Sequence, residues 1–426
     1  MTLHSHKGLM FILDGLGDRP VPELQGRTPL EAADTPTMDK LLSLGMGGLM
    51  DPLTPGVPVD THTGTALLTG VSLRDAQFLR RGPIEAAGAG VVMQTGDVAI
   101  RCNFATVEKD GDGFLIKNRR AGRLREEEVA ELAKSLQKVN LGDGITGSIH
   151  PATQHRAILH LSGPELSAAI TDSDPMSGSP LRIKTVIPHD PGNIRAAKTA
   201  DAVNRFICIA CAQLPDHPFN RARRKAGRLE ANGIICRGAG EMFELDNLLH
   251  YLKLKAALIT GDCTVAGLGR LLKLTVLTTP AYTALADTDI DAKIRAGLKA
   301  LNEHEIVFVH LKGPDICTHD FNPVGKMEFL ERFDTAIAAV PIENLVIGIT
   351  GDHSSDSTLG EHSGDPVPSL LFSPRGRRDL CREYGETGCC QGALGRISAN
   401  HFLISMLDAM GCLHNYRPED TRYYLM

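Results

Sequence analysis

The sequence predicts an α/β fold, a mostly parallel sheet sandwiched by helices, with a smaller α+β domain inserted into it. Three observations predict it. Short continuous apolar runs recur, each followed by acidic or imidazole side chains; amphipathic stretches of helical period lie between them; and residues 77–188 change to alternating apolar and polar positions. A parallel strand covered on both faces reads as an unbroken apolar run, whereas a strand with one wet face alternates.

The first run is Leu9-Met10-Phe11-Ile12-Leu13, with Asp14-Gly15 at its carboxyl edge. Ile306-Val307-Phe308-Val309 leads to Lys312, Asp315 and His319, and Leu345-Val346-Ile347-Gly348-Ile349 leads to Asp352 and His353. The stretch 289–301 has the period of a covering helix. In sheets of this kind ligands bind beyond the carboxyl ends of the strands, where these acids and histidines fall. Within 77–188, Asp97-Val98-Ala99-Ile100-Arg101-Cys102-Asn103-Phe104 alternates, and one helix is expected over 125–136. The plan is a discontinuous metal-binding domain of residues 1–76 and 189–426 around an insert of 77–188.

A chain of 426 residues accommodates two domains and a sizeable core. Hydrophobic residues at 42% and charged residues at 23% exclude a disordered or fibrous chain. The net charge of -6 argues against a nucleic-acid partner, which calls for a basic surplus. No run reaches the roughly 18 apolar residues that span a bilayer, and Met1 to Lys7 lacks the apolar core of a signal peptide, so the expectation is a cytoplasmic protein without a membrane partner. The ten cysteines are scattered. Cys208 and Cys211 form a CxxC without a second pair at zinc spacing, which reads as core packing.

Asp14, Asp315, His319, Asp352, His353 and His362 all belong to metal-ligating types. Asp315 and His319 are four residues apart, so one helical turn aims both at one ion, and the adjacent Asp352-His353 reaches toward a second. Mixed carboxylate and imidazole donors suit manganese or zinc better than calcium. Taken singly, an aspartate after a strand is a helix cap and a histidine a hydrogen-bonded core or surface group. Their joint appearance after three strands points to a metal centre.

Several further segments carry a resemblance: Asp14-Gly15-Leu16-Gly17-Asp18-Arg19-Pro20, Thr28-Pro29-Leu30-Glu31-Ala32-Ala33, Arg81-Gly82-Pro83-Ile84-Glu85-Ala86, Arg101-Cys102-Asn103-Phe104-Ala105-Thr106, Arg119-Arg120-Ala121-Gly122-Arg123, Arg237-Gly238-Ala239-Gly240, Thr350-Gly351-Asp352-His353-Ser354 and His362-Ser363-Gly364-Asp365-Pro366-Val367-Pro368. Over nearly its whole length the chain resembles the archaeal-type branch of the cofactor-independent phosphoglycerate mutases, in the alkaline phosphatase superfamily. The resemblance implies an alkaline-phosphatase-like sheet and two divalent metal ions, manganese or zinc, with magnesium as a further candidate. It assigns Asp315, His319 and His362 to one ion and Asp14, Asp352 and His353 to the other, with the nucleophile touching the latter. Lys312 then neutralises a phosphoryl oxygen beside the ions. It also implies that Arg101, Asn103, Arg119, Arg120, Arg123 and Arg156 of the insert grip a small phosphorylated carboxylate, a role suited to guanidinium forks. Asp172 and Asp174 match a motif that reads equally as substrate contact and as polar turn.

One segment departs from the family. Its nucleophilic serine falls, in Gly56-Val57-Pro58-Val59-Asp60-Thr61-His62-Thr63-Gly64-Thr65-Ala66-Leu67-Leu68-Thr69-Gly70, on Thr61, and the acid that follows it is His62. A metal-activated threonine hydroxyl attacks phosphorus as a serine does, so Thr61 is expected to be both nucleophile and metal ligand, with Thr63 in reserve. Thr61 also reads as the cap of a helix over 63–68. The changed pair leaves three enzyme readings open: isomerisation of 3-phosphoglycerate to 2-phosphoglycerate through a phospho-enzyme; transfer of phosphonoformate from a CMP ester to 3-phosphoglycerate in phosphonate or phosphinate antibiotic biosynthesis; and metal-dependent phosphatase or phosphodiesterase action. Retention of all six ligands argues against a catalytically dead binding module.

Overall fold

The structure is a computed structural model, and it describes residues 6–152, 156–242 and 245–413. The chain divides into two compact units, Met1–Phe78 with Leu245–Met426, and Leu79–Glu244.

The first unit is built on an eight-stranded sheet in the order Thr275–Leu277, Ala256–Ile259, Ile306–Leu311, Lys7–Leu13, Leu345–Thr350, Val367–Phe372, Met46–Asp51, Gly395–Ser398. Val367–Phe372 runs antiparallel to both its neighbours, and the remaining pairs are parallel. All six positions of Ile306–Leu311 and of Leu345–Thr350 are buried, as their unbroken apolar runs require.

Both faces of this sheet carry helices. Along a strand successive side chains point to opposite faces. A side chain at Gly8 would strike Met406 and Met410 of helix Ala399–Ala409 and its end, whereas Gly297 of helix Ile290–Ala300 lies against Leu9 and Val309. Phe11, on the Leu9 face, meets Phe333 of helix Pro323–Ile337 edge to face, with ring centroids 5.3 Å apart. Asp289 caps Ile290–Ala300 by accepting from Ala292 N–H at 2.8 Å.

The second unit holds a six-stranded antiparallel sheet. Val98–Asp110 is its long central strand, flanked by Arg156–Ser162 and by both Gly113–Asn118 and Gly233–Glu241. Val98, Ile100, Cys102 and Phe104 enter a core shared with Phe206 and Val203 of helix Ile194–Gln213. The alternate positions Ala99, Arg101 and Asn103 therefore face the other way.

The unit extends past residue 188, where the sequence reading ended the insert. Residues 189–244 belong here because Gly233–Glu241 pairs with Val98–Asp110 and Ile194–Gln213 covers the same core. The expected helix over 125–136 runs Glu126–Lys134. Cys211 is buried as expected of core packing, but Cys208, three residues earlier on Ile194–Gln213, is exposed. Among the described residues no helix is long and apolar enough to cross a membrane.

Candidate metal and phosphoryl-transfer site

The loops at the carboxyl ends of the central strands of the first unit bring six predicted ligands together. Asp14 follows Lys7–Leu13, Asp315 and His319 lie on helix Gly313–His319 just after Ile306–Leu311, and Asp352-His353 follow Leu345–Thr350. His362 enters on the hairpin of Ser354–Asp356 with Glu361–Ser363. Asp14, Asp352 and His353 are fully buried, and Asp315 nearly so.

Asp315 is the hub of the first group. Its Oδ1 lies 3.4 Å from His319 Nε2 and 3.3 Å from His362 Nε2. Both imidazoles are aimed by backbone carbonyls, His319 Nδ1 at 2.8 Å from Gly360 O and His362 Nδ1 at 2.7 Å from Val59 O. An Nδ1–H donated to a carbonyl leaves the Nε2 lone pair toward the carboxylate, the arrangement that metal-ligating histidines adopt. Asp14 is the hub of the second group, with His353 Nε2 3.0 Å from its Oδ1. His353 Nε2 also lies 3.8 Å from Asp352 and 3.8 Å from Asp315, and its ring stacks on that of His362 at 3.8 Å.

Close backbone approach makes the cluster. Gly15, in the left-handed region at φ +68°, donates its N–H to Asp352 Oδ1 at 3.2 Å. Gly64 lets helix Thr61–Leu68 press against Asp352, whose carbonyl oxygen would lie 1.9 Å from a β-carbon there.

That helix begins at Thr61, so Asp60 holds the cap position that the sequence reading gave to Thr61. The hydroxyl of Thr61 donates to Asp14 Oδ1 at 3.2 Å and accepts from Lys312 Nζ at 3.2 Å. Lys312 Nζ also lies 2.8 Å from Asp14 Oδ2 and 2.7 Å from Asp315 Oδ2. His62 is buried, with Nδ1 4.0 Å from Asp60 Oδ2.

Charge is concentrated and mutually compensated here. Burial alone would raise Asp14, but the Lys312 ammonium and the His310 and His353 imidazoles hold it well below the usual carboxylate range. Asp315, opposed by burial and by Asp14, is drawn down to about 2 by His362, Lys312 and His353. Asp352 is pushed up to about 6 by burial and by Asp14. Burial would lower His353, yet Asp352, Asp14 and Asp315 raise it to about 9.

The donor set fits divalent ions. Asp315 Oδ1, His353 Nε2 and His310 Nε2 are buried without a hydrogen-bond partner, a state that native interiors rarely leave uncompensated. Three groups offer ligand atoms within 4.8 Å of one another: Asp315, His319 and His362; Asp14, Asp315 and His353; and Asp14, His310 and Asp352. Lys312 Nζ marks a position where one cation meets three oxygens.

The predicted substrate residues lie in the second unit. Arg101 and Asn103 are buried on Val98–Asp110, and Arg156 is the cross-strand partner of Asn103. Burial lowers Arg101 to about 10, with Arg156, Arg237 and Arg81 adding to the effect and Glu85 opposing it. Arg101 Nε, Asn103 Oδ1 and Arg156 Nε are buried without hydrogen-bond partners. Arg119 instead spends its fork on Asp174, at 3.1 and 2.5 Å. Asp172 accepts from Gly238 N–H at 2.9 Å. Arg120 and Arg123 are exposed in the turn after Gly113–Asn118.

Sequence reasoning missed three members of this patch. Arg237 is the cross-strand partner of Arg101, and the buried Glu85 lies 3.6 Å from Arg101 Nε and 3.7 Å from Arg81 Nε. All three fall in segments that the resemblance had marked, and a charged residue within an otherwise apolar stretch was the available signal.

Comparison with known proteins accords with this geometry. A family model described as 2,3-bisphosphoglycerate-independent phosphoglycerate mutase matches residues 43–220. The protein of that name from Methanopyrus kandleri is 39% identical over 410 residues, covering 94% of this chain and 96% of the relative. The chain belongs to the 2,3-bisphosphoglycerate-independent phosphoglycerate mutase family. The family's protein from Pyrococcus furiosus is 37% identical over 413 residues, 96% of this chain and 98% of its own. Among solved structures, the cofactor-independent phosphoglycerate mutase of Thermoplasma acidophilum superposes with a TM-score of 0.71 at 31% identity, covering 95% of this chain and 100% of that one. The PH0037 protein of Pyrococcus horikoshii reaches 0.81 at 32%, covering 96% and 98%. Family membership and the three Asp/His groups together support use of divalent metal.

Proposed function

We propose that the chain interconverts 3-phosphoglycerate and 2-phosphoglycerate as a metal-dependent phosphomutase that needs no 2,3-bisphosphoglycerate, with Thr61 carrying the phosphoryl group. The observation that carries this reading is the position of the Thr61 hydroxyl, 3.2 Å from both Asp14 Oδ1 and Lys312 Nζ at the start of a helix, among six metal-ligating side chains. Thr61, rather than Thr63, meets these partners. The curated relatives carry the mutase name, which favours isomerisation over phosphonoformyl transfer from a CMP ester and over hydrolysis.

In this reading Asp315, His319 and His362 hold one ion, and Asp14, Asp352, His353 and Thr61 hold the other. The carboxylate and imidazole donors suit Mn²⁺ or Zn²⁺. When bound, the ions supply Lewis acidity that lowers the pKa of a coordinated hydroxyl and neutralises charge on a phosphoryl group.

The chain's own residues do the rest. Thr61 Oγ1 attacks the phosphorus of 3-phosphoglycerate, and the hydroxyl proton it gives up balances the one that the leaving C3 oxygen gains. The Oγ1–P bond forms as the bond from phosphorus to the C3 oxygen breaks, and that oxygen takes up a proton. The bound glycerate turns, its C2 hydroxyl attacks the phosphothreonine and gives up its proton, the Oγ1–P bond breaks, and Oγ1 takes up a proton to restore the Thr61 hydroxyl. Lys312, an ammonium raised far above its ordinary range by Asp14 and Asp315 against burial, lies where it neutralises a phosphoryl oxygen. The positive end of helix Thr61–Leu68 favours the same charge. Arg101 and Arg156 grip the substrate anion through their unpaired buried Nε–H donors, Asn103 offers its side-chain amide N–H beside them, and Arg237 and Arg81 add charge. Arg119 is held by Asp174 beside this patch and Asp172 accepts from Gly238 N–H next to Arg237, while Arg120 and Arg123 lie on the exposed turn after Gly113–Asn118.

The test is direct. Protein loaded with Mn²⁺ and given 3-phosphoglycerate alone is expected to accumulate 2-phosphoglycerate, and metal-loaded protein that yields none contradicts the proposal.

A further inference from the structure

His310 occupies the penultimate position of Ile306–Leu311, in an otherwise apolar strand. The side chain is 1% exposed, and its Nε2 lies 3.1 Å from Asp14 Oδ2 without making a hydrogen bond. Its Nδ1 lies 3.3 Å from Thr260 Oγ1, and that oxygen also accepts from Asp262 N–H at 3.0 Å. Asp14, His310 and Asp352 present ligand atoms within 4.8 Å of one another.

A buried imidazole nitrogen without a partner, aimed at a carboxylate, calls for a ligand. The oxygen at Nδ1 fits the rule that a metal-bound histidine donates its other ring N–H to a neighbouring oxygen, which sets tautomer and ring angle. We propose that His310 is a direct donor to the ion held by Asp14 and Asp352, so that this ion has imidazole from His310 as well as from His353, and that Thr260 is its positioning residue. The inference rests on the two-ion reading above and adds a donor that the family resemblance did not assign. A second imidazole biases this position toward nitrogen-preferring ions such as Zn²⁺ and Co²⁺ over Mg²⁺.

Metal-free protein titrated with Co²⁺, followed by visible absorption and by equilibrium dialysis, tests the assignment without reference to turnover. The wild type is expected to take up two ions. In His310→Leu one ion should bind as before, while the other loses at least roughly 100-fold in affinity, beyond the 10–100-fold typical of outer-shell losses, and its absorption bands change. Thr260→Val, which keeps the imidazole but removes the oxygen that aims it, should weaken the same ion by about tenfold with its bands retained. Two ions bound by each variant with wild-type affinity and spectrum would overturn the assignment of His310 and leave the two-ion reading standing. Uptake of fewer than two ions by the wild type contradicts the two-ion reading itself. Thermal unfolding of the metal-free proteins separates loss of a donor from loss of fold, and Thr260→Val carries the test if His310→Leu unfolds.

Discussion

Lys326 Nζ lies 2.7 Å from Asp18 Oδ2, with both side chains essentially excluded from water. The ammonium also donates to Gly17 O and Thr318 Oγ1, and Asp18 accepts from the backbone N–H and the hydroxyl of Ser357. One buried pair thus ties the loop that carries Asp14 to the helix that carries Asp315 and to the hairpin before His362. Removing one partner strands the other charge. Lys326→Met is expected to destabilise the protein by about 3–5 kcal/mol, measured by urea unfolding, with part of the loss recovered in the double variant with Asp18→Asn.

Lys293 is likewise buried, donating to Thr283 O at 3.0 Å. Burial lowers it to about 8, against the charge of Asp262. A base depressed in the folded state binds fewer protons than in the unfolded chain between pH 8 and about 10.5, so stability rises with pH across that window. Below pH 8 the full penalty, on the order of 3 kcal/mol, applies. Lys293→Met, less about 1 kcal/mol for the lost hydrogen bond, is therefore expected to be the more stable protein at pH 7. Its advantage should vanish by pH 10 in paired denaturation curves.

At Gly64 a β-carbon would lie 1.9 Å from the Asp352 carbonyl oxygen and 3.0 Å from its β-carbon. The nearest clash is with backbone, so it is not relieved by a rotamer change. Gly64→Ala is expected to displace the Asp352 loop, costing about 1–3 kcal/mol of stability. Affinity for one of two Mn²⁺ ions should fall by at least about tenfold, as read by calorimetric titration.

The central strands were legible because burial on both faces writes itself as unbroken apolar runs, and the clustering of the candidate ligands because most of them follow those runs. The far edge of the insert was not. Gly233–Glu241 pairs with Val98–Asp110 across more than a hundred residues of sequence, and nothing local announces that pairing. His310 was passed over because a lone histidine in an apolar strand reads as a core group. The atoms it faces, on Asp14 and Thr260, come from the residues that follow two other strands. Glu85, Arg81 and Arg237 gain meaning only from the sheet register that gathers them around Arg101.

Arg101→Lys keeps the charge of the proposed substrate grip but loses the planar fork. We expect kcat/KM for 3-phosphoglycerate to fall by about 10–100-fold, carried mainly by KM in steady-state kinetics. The ions should bind with unchanged affinity. A variant with wild-type KM would remove Arg101 from the grip.

In the proposed reaction Thr61 takes the phosphoryl group. Its added methyl is the feature that departs from serine, so Thr61→Ser should stay within about tenfold of wild type, while Thr61→Ala should lose on the order of 10⁴–10⁶-fold in kcat, as when a nucleophile is deleted. The most direct measurement is peptide mass spectrometry of metal-loaded protein quenched during turnover of 3-phosphoglycerate. A phosphate is expected on Thr61, absent without substrate and absent in Thr61→Ala. Phosphate on Thr63 instead, or isomerisation that proceeds undiminished in Thr61→Ala, would contradict it.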